Sequence, residues 1–152
     1  MRRLAILAAL AVAAVIAVAL LSGGAGAASS GATIHVIEHA TSDTVTDTGK
    51  KGDSAGDILT FANDIYDAGN TKKVGTDQGF CIRVVKGKSY ECWWTIFLGK
   101  GQITVEGPFF DTSESALAVT GGTGAYKSSR GWMELKFHNE AGTEFDFIYH
   151  LS

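Results

Sequence analysis

Apolar and polar residues alternate along most of the chain after residue 32. In the segment 131–138, Met133, Leu135 and Phe137 share one face of an extended chain, and the other face is mostly charged or polar. A period of two indicates a β-strand with one buried face and one solvated face. The segment 143–151 alternates in the same way. Similar runs, rich in β-branched and aromatic residues and bounded by turn residues, predict further strands over 33–38, 79–85, 90–98, 102–107 and 115–120.

The segment 54–67 permits two interpretations. Ile58, Phe61 and Ile65 stand at helical spacing, which would suit an amphipathic helix. The same residues also fit an extended chain. Because the pattern elsewhere is that of β-strands, a strand over 58–62 followed by a turn at 67–70 is favoured.

Regular short strands joined by short loops predict an all-β domain, either an antiparallel sandwich or a closed barrel. About eight such strands can close around an interior that is packed solid or holds one small ligand. Trp93 and Trp94 are adjacent, so their side chains point to opposite faces of one strand. One is expected in the core or a cavity wall, and the other outside or at an oligomer contact.

The first 27 residues predict a secretory signal peptide. Two arginines precede an apolar run over 4–21, and the small residues at 25–27 form an A-x-A cleavage site. Residues 28–32 are then a short linker, and 33–152 are the folded domain. The alternative is an uncleaved membrane anchor, because about 18 apolar residues approach the length that spans a bilayer. Membrane contact is expected only through this segment, and only if it stays uncleaved.

The charge of the chain argues against one class of partner. Cleavage after residue 27 would remove Arg2 and Arg3 from the 13 basic residues and leave all 16 acidic residues, so the formal net charge would change from −3 to −5. The remaining sequence has no basic cluster that could hold several phosphates, so a nucleic-acid partner is not expected. The four histidines have no metal-ligand spacing.

Two cysteines, Cys81 and Cys92, are the only ones in the chain. A two-residue turn at Lys86-Gly87 would place them opposite each other on a hairpin, near the range of a disulfide. An exported protein meets an oxidising compartment, where such a bond is permitted. Two buried thiols that pack as small apolar groups are the alternative.

The stretch LAVTGGTGAY at 117–126 looks like a phosphate-binding loop but lacks the required spacing. A P-loop needs a lysine followed by Ser or Thr directly after its last glycine, and none is present. The dinucleotide fingerprint would need a glycine at position 127, which is Lys127. The glycines are therefore predicted to turn the chain between two strands, at the rim of the barrel.

Several stretches resemble the plant allene oxide cyclases, in order and over residues 33–151. They are GDILTFANDIYD, GFCIRVV, YECWW, VEGPFFDTSESALAVTGGTGAY and FDFIYHL. GGTGAYKSSRG also resembles a pattern of the dirigent proteins, which share the same barrel. The resemblance implies an eight-stranded antiparallel β-barrel with an apolar cavity. It also implies a cofactor-free ring closure of an unsaturated epoxide and assembly of the chain into a homo-oligomer, a trimer or dimer.

Individual residues match the two families' functional positions. Glu38 matches a buried glutamate that steers charge in the opening epoxide, and Asn63 matches an asparagine that holds a water at the epoxide oxygen; both are predicted catalytic residues. Cys81 matches a cavity cysteine, and Arg130 matches a dirigent arginine that stabilises the oxygen of a quinone methide. Together with Phe61 and Trp94, these two are the predicted substrate-binding residues. The second asparagine of the allene oxide cyclases is Ala40 here, an aromatic of that family is Ala116, and a proline of that family is absent.

The sequence therefore predicts a secreted, cofactor-free isomerase or cyclase that binds a small apolar or phenolic molecule and guides its ring closure or coupling. Two alternatives stay open. The barrel could bind a small hydrophobic ligand without chemistry, or it could be a solid structural barrel of the cell envelope.

Overall fold

The computed structural model describes residues 31–152, so the predicted signal peptide lies outside the described residues. The described part of the chain forms ten strands and one 3₁₀ turn, Gly124–Tyr126. Among residues 31–152, no helix is long and apolar enough to cross a membrane. The strands are β1 (Ala32–His39), β2 (Thr44–Thr46), β3 (Ile58–Phe61), β4 (Asp64–Asp67), β5 (Lys73–Val85), β6 (Ser89–Leu98), β7 (Gly101–Phe110), β8 (Ser115–Gly122), β9 (Gly131–Phe137) and β10 (Glu144–Leu151).

The strands close into an eight-stranded antiparallel barrel, which confirms the predicted fold class. Each strand from β5 to β10 pairs with the next, and β10 pairs with β1. β1 pairs with β4, and both β3 and β4 pair with β5. β3 and β4 are therefore two halves of one barrel strand, and β2 extends the sheet beside β3.

The ambiguous segment 54–67 is extended, as predicted, and not helical. The break between β3 and β4 falls at Ala62 and Asn63. At the break, the backbone N–H and C=O of Asn63 still bond the backbone of Asp77 on β5. The sheet therefore continues past the break, and the predicted turn follows at 67–70, where Asn70 has a positive φ of 52°.

The β5–β6 hairpin differs from the prediction by one residue. The loop has three residues, 86–88, and Val85 pairs with Ser89. Gly87 takes a φ of 62°, a left-handed conformation that glycine adopts without strain. A three-residue loop with a bulge is a common hairpin, and it preserves the predicted pairing of Cys81 with Cys92.

One end of the barrel is packed solid, and the other holds a cavity. Inward-facing residues from β6 to β10 fill the solid end, which lies away from the 86–88 hairpin: Ile96, Ile103, Val119, Met133 and Leu151. The glycine loop at 121–124 crosses the rim at this end, where β8 ends, as predicted. An open groove lined by Ile34, Val74, Leu98 and Tyr126 remains at the rim of this end. The more enclosed cavity, which carries a buried carboxyl, lies at the end with the hairpin.

Candidate functional site

The cavity lies inside the barrel at the end that carries the 86–88 hairpin. It has a volume of about 50 Å³, which is room for a few water molecules or for part of an organic molecule. Two carboxylic acids and an otherwise apolar wall line it: Glu38, Asp43, Leu59, Phe61, Cys81, Cys92, Trp94, Phe109, Leu135, Phe145 and Phe147. The cavity brings together four of the predicted site residues, Glu38, Phe61, Cys81 and Trp94.

Aromatic rings form most of the wall. Trp94 is 2% exposed, whereas Trp93 is 43% exposed on the outer face, as the alternation predicts. The Trp94 ring lies 6.0 Å from Phe61 and 5.6 Å from Phe147, centroid to centroid. Gly79 faces Trp94 across the β5–β6 pair, and a Cβ at this glycine would overlap the Trp94 Cβ. The position of Trp94 in the cavity wall therefore requires a residue without a side chain at position 79.

A disulfide joins Cys81 and Cys92 in the cavity wall, which decides between the two alternatives left by the sequence. The two residues stand directly opposite each other on β5 and β6, and both are buried. Cys81 therefore presents a disulfide sulfur to the cavity rather than a thiol.

Glu38 places a carboxyl group in this apolar surrounding. It lies near the end of β1, faces inward like Val36, and is 6% exposed. Its Oε1 accepts a hydrogen bond of 2.9 Å from Nδ2 of Asn63. Burial raises the pKa of Glu38 well above its usual value, and the nearby charge of Asp77 raises it further.

Asn63 holds the surroundings of Glu38 in place. Its Nδ2 also donates to Asp43 at 3.0 Å. Its Oδ1 accepts hydrogen bonds from the backbone N–H groups of Thr41 and Ser42 and from the Ser42 hydroxyl, each at 3.0 Å. The side chain thus ties the loop after β1 to the strand break and to Glu38.

Asp77 is a buried carboxyl that the sequence did not single out. It is 2% exposed, and its Oδ1 accepts a hydrogen bond of 3.2 Å from the backbone N–H of Asn63. Asn63 joins it to Glu38, because the backbone N–H of Asn63 bonds Asp77 and its side-chain amide bonds Glu38. Burial raises the pKa of Asp77 to about 7. The sequence predicts this strand only from residue 79, whereas β5 begins at residue 73. Alternation along the full strand places the Asp77 side chain on the inward face.

Two further polar groups are buried close to this pair. Neither the Tyr149 hydroxyl nor Trp94 Nε1 has a hydrogen-bond partner that meets standard geometry among the described residues. Burial raises the pKa of Tyr149 well above its usual value, and the charges of Asp77 and Glu38 raise it further. Tyr149 is therefore a neutral phenol that can donate or accept a hydrogen bond.

Arg130 is not brought to the cavity. It is exposed beside the chain terminus at the solid end, where its backbone pairs with Ser152 and its guanidinium donates to the Ser129 carbonyl at 2.8 Å. The arginine near the cavity end is Arg83, which sequence reasoning missed. It is buried over the Tyr90 ring at 3.6 Å.

The chain was compared with known families and solved structures. The profile of the family described as "Allene oxide cyclase" matches residues 34–139. A structure described as "Pyocyanin demethylase" is 26% identical and covers 80% of this chain and 100% of its own, with a TM-score of 0.68. The pterocarpan synthase dirigent protein PsPTS1 is 17% identical, covering 80% of this chain and 96% of its own (TM-score 0.64). The Diels–Alderase AbmU from Streptomyces koyangensis is 13% identical, covering 82% of this chain and 71% of its own (TM-score 0.61). The last two show likeness of fold.

Proposed function

The chain belongs to the allene oxide cyclase family, and we propose that it is a cofactor-free isomerase or cyclase acting on a small unsaturated molecule bound in the barrel. The observation that carries the proposal is the buried carboxyl of Glu38 at a mostly aromatic and aliphatic cavity. A carboxyl group in such surroundings interacts strongly with charge that develops on a bound molecule, because little water screens it.

The shape of the cavity supports a role in guiding a ring closure or coupling. Its volume of about 50 Å³ admits the reacting part of a substrate, and the remainder then lies in the mouth beside Phe61 and Phe109. Rigid aromatic walls restrict the conformations of the bound molecule, so that one ring closure becomes reachable. An apolar or phenolic substrate fits this lining.

Export of the protein is part of the proposal. It is supported by the predicted signal peptide in residues 1–27 and by the Cys81–Cys92 disulfide, which suits an oxidising compartment. Localisation of the full chain, with its N-terminus determined after secretion, tests this part separately.

Activity can be tested with an allene oxide generated in situ, by measuring the enantiomeric excess of the cyclopentenone product. We expect an excess of one enantiomer with the wild-type protein and a loss of it, with turnover lowered by orders of magnitude, in Glu38→Gln. Glu91→Gln is the matched control, because Glu91 is exposed on the outer face of β6. If the product with the wild-type protein is racemic and forms at the spontaneous rate, this allene oxide is excluded as its substrate. Binding without turnover would favour the ligand-binding alternative.

A second candidate reaction is the demethylation of a planar aromatic compound. It is favoured by the 26% identity to the pyocyanin demethylase structure over that chain's whole length. Incubation with pyocyanin and mass spectrometry of the product test it, with Glu38→Gln beside the wild-type protein. Unchanged pyocyanin after prolonged incubation would reject this candidate.

A further inference from the structure

Asp77 has no role in the family resemblance, yet its carboxyl is buried close to Glu38. One residue holds both groups: the Asn63 backbone N–H donates to Asp77, and its side-chain amide donates to Glu38. Oδ2 of Asp77 has no donor partner among the described residues. A proton carried by one of the two carboxyls would supply that partner.

The groups around the pair do not supply a positive charge. Asp43 from the loop after β1 and the Tyr149 phenol from β10 face it, and Trp94 adds an uncharged indole from β6. The ion pairs of residues 31–152 join no lysine, arginine or histidine to Glu38 or Asp77. Two neighbouring carboxylates that are buried without a cation cannot both ionise readily, so they share a proton.

We propose that Asp77 is a positioning residue that retains a proton on Glu38, so that Glu38 meets the substrate as an acid rather than as an anion. The inference rests on the proposed function of the cavity and names its substrate class. Suitable substrates carry an oxygen that gains negative charge as their bonds rearrange, as in epoxides, conjugated ketones and quinone methides.

The step balances without any further reactant. The O–H bond of Glu38 breaks as its proton forms a new O–H bond on the substrate. The electron pair of the epoxide C–O bond, or of the carbonyl π bond, moves to that oxygen. The Glu38 carboxylate then takes a proton back from the rearranged molecule. When the ring closes, the proton comes from the hydroxyl oxygen, and the O–H electrons form the C=O bond of a cyclopentenone; otherwise it comes from a carbon atom, whose C–H electrons form a new C=C bond. The net reaction is an isomerisation, and Glu38 returns to its protonated form.

The protonation of Glu38 can be measured by carbon-13 NMR with side-chain carboxyl labels on glutamate, with Glu38→Gln assigning its resonance. In the wild-type protein we expect Glu38 to stay protonated at pH values where glutamates exposed to solvent have ionised. In Asp77→Asn its midpoint should fall by at least one pH unit, because the neighbouring negative charge is gone. Asp64→Asn is the matched control, since Asp64 is exposed on β4 and pairs with Lys73.

Two outcomes would overturn the inference: a wild-type Glu38 that titrates with the other glutamates, or a midpoint that Asp77→Asn and Asp64→Asn shift equally. If Asp77→Asn does not fold, aspartate labels on the wild-type protein suffice. A coupled pair moves both resonances at the same two pH midpoints, and independent midpoints would contradict it. The titration needs no substrate, so a missing activity with a confirmed Glu38 proton would reject only the proposed function.

Discussion

At the scale of single residues, the site could be predicted where alternation and motif agree. Glu38 follows Val36 at a spacing of two, and both face inward. Asp77 escaped prediction because the glycines and polar residues around it hide the start of β5. The place of Arg130 could not be predicted either, because a motif match does not say to which end of the barrel the following loop is directed.

Asn63 is predicted to stabilise the folded protein as well as to hold the Glu38 carboxyl in place. In Asn63→Ala, five side-chain hydrogen bonds are lost. Each buried group left without a partner costs about 1–3 kcal/mol, so we expect the free energy of unfolding to fall by roughly 3 kcal/mol or more. Urea denaturation measures this. The control is Asn139→Ala, which removes bonds only within the β9–β10 turn, and equal effects would contradict the prediction.

At the scale of elements, β-strand alternation located the strands but not their irregularities. The break at Ala62 and Asn63 and the third residue of the 86–88 loop depend on tertiary contacts. The backbone polar groups of Asn63 at the break are bonded by the backbone and the carboxyl of Asp77, which lies 14 residues further on. A pattern within a short window holds no information about such a partner.

The disulfide is expected to stabilise the β5–β6 hairpin. Cys81 and Cys92 are separated by 11 residues, and the chain-entropy estimate for a loop of this size is about 3 kcal/mol. The double variant Cys81→Ala with Cys92→Ala should therefore unfold at lower urea concentration. Reduction of the wild-type protein should lower its stability by a similar amount and leave the double variant unaffected. A reducing agent that destabilises the double variant equally would show that the disulfide is not the cause.

Arg83 is expected to hold three connecting segments together at the cavity end. Its guanidinium pairs with Asp111 after β7 at 2.6 Å and with Asp53 in the loop before β3 at 2.8 Å. Asp53 in turn accepts the backbone N–H of Gly87 in the hairpin at 2.8 Å. In Arg83→Met, we expect faster hydrogen–deuterium exchange in the 49–57 and 86–88 segments, measured by mass spectrometry. Lys86→Met, a change of charge in the same hairpin, should leave the 49–57 segment unchanged.

At the scale of the whole molecule, the sequence predicted the closed barrel because alternation and the ordered family motifs cover the same residues. The cavity could be located only from the structure, because its place depends on which end of the barrel interior is filled with side chains. The apolar residues of the solid end and those of the aromatic wall have the same pattern in the sequence. Only the register of neighbouring strands separates the two sets.

Asp77 should make the stability of the whole barrel fall as the pH rises. In the unfolded chain this carboxyl ionises near pH 4, whereas in the folded chain burial raises its pKa to about 7. Between these values the folded state keeps a proton that the unfolded state has lost. Its contribution is therefore fully present below pH 4 and is lost as the pH approaches 7, at about 1.4 kcal/mol per pH unit.

Glu38, whose pKa is also raised, adds to this trend, whereas two other carboxyls oppose it and cancel in a comparison of variants. Backbone N–H groups of Ser54 and Thr71, respectively, lower the pKa of Asp57 and Asp67, so these two stabilise the fold above pH 4 in every variant. The free energy of unfolding of Asp77→Asn minus that of the wild-type protein should therefore rise by a few kcal/mol from pH 4 to pH 7. Urea denaturation at successive pH values measures the difference. Asp64→Asn is the control for the loss of a carboxyl outside the buried pair, and a flat line for Asp77→Asn would show that Asp77 ionises alike in the folded and unfolded chains.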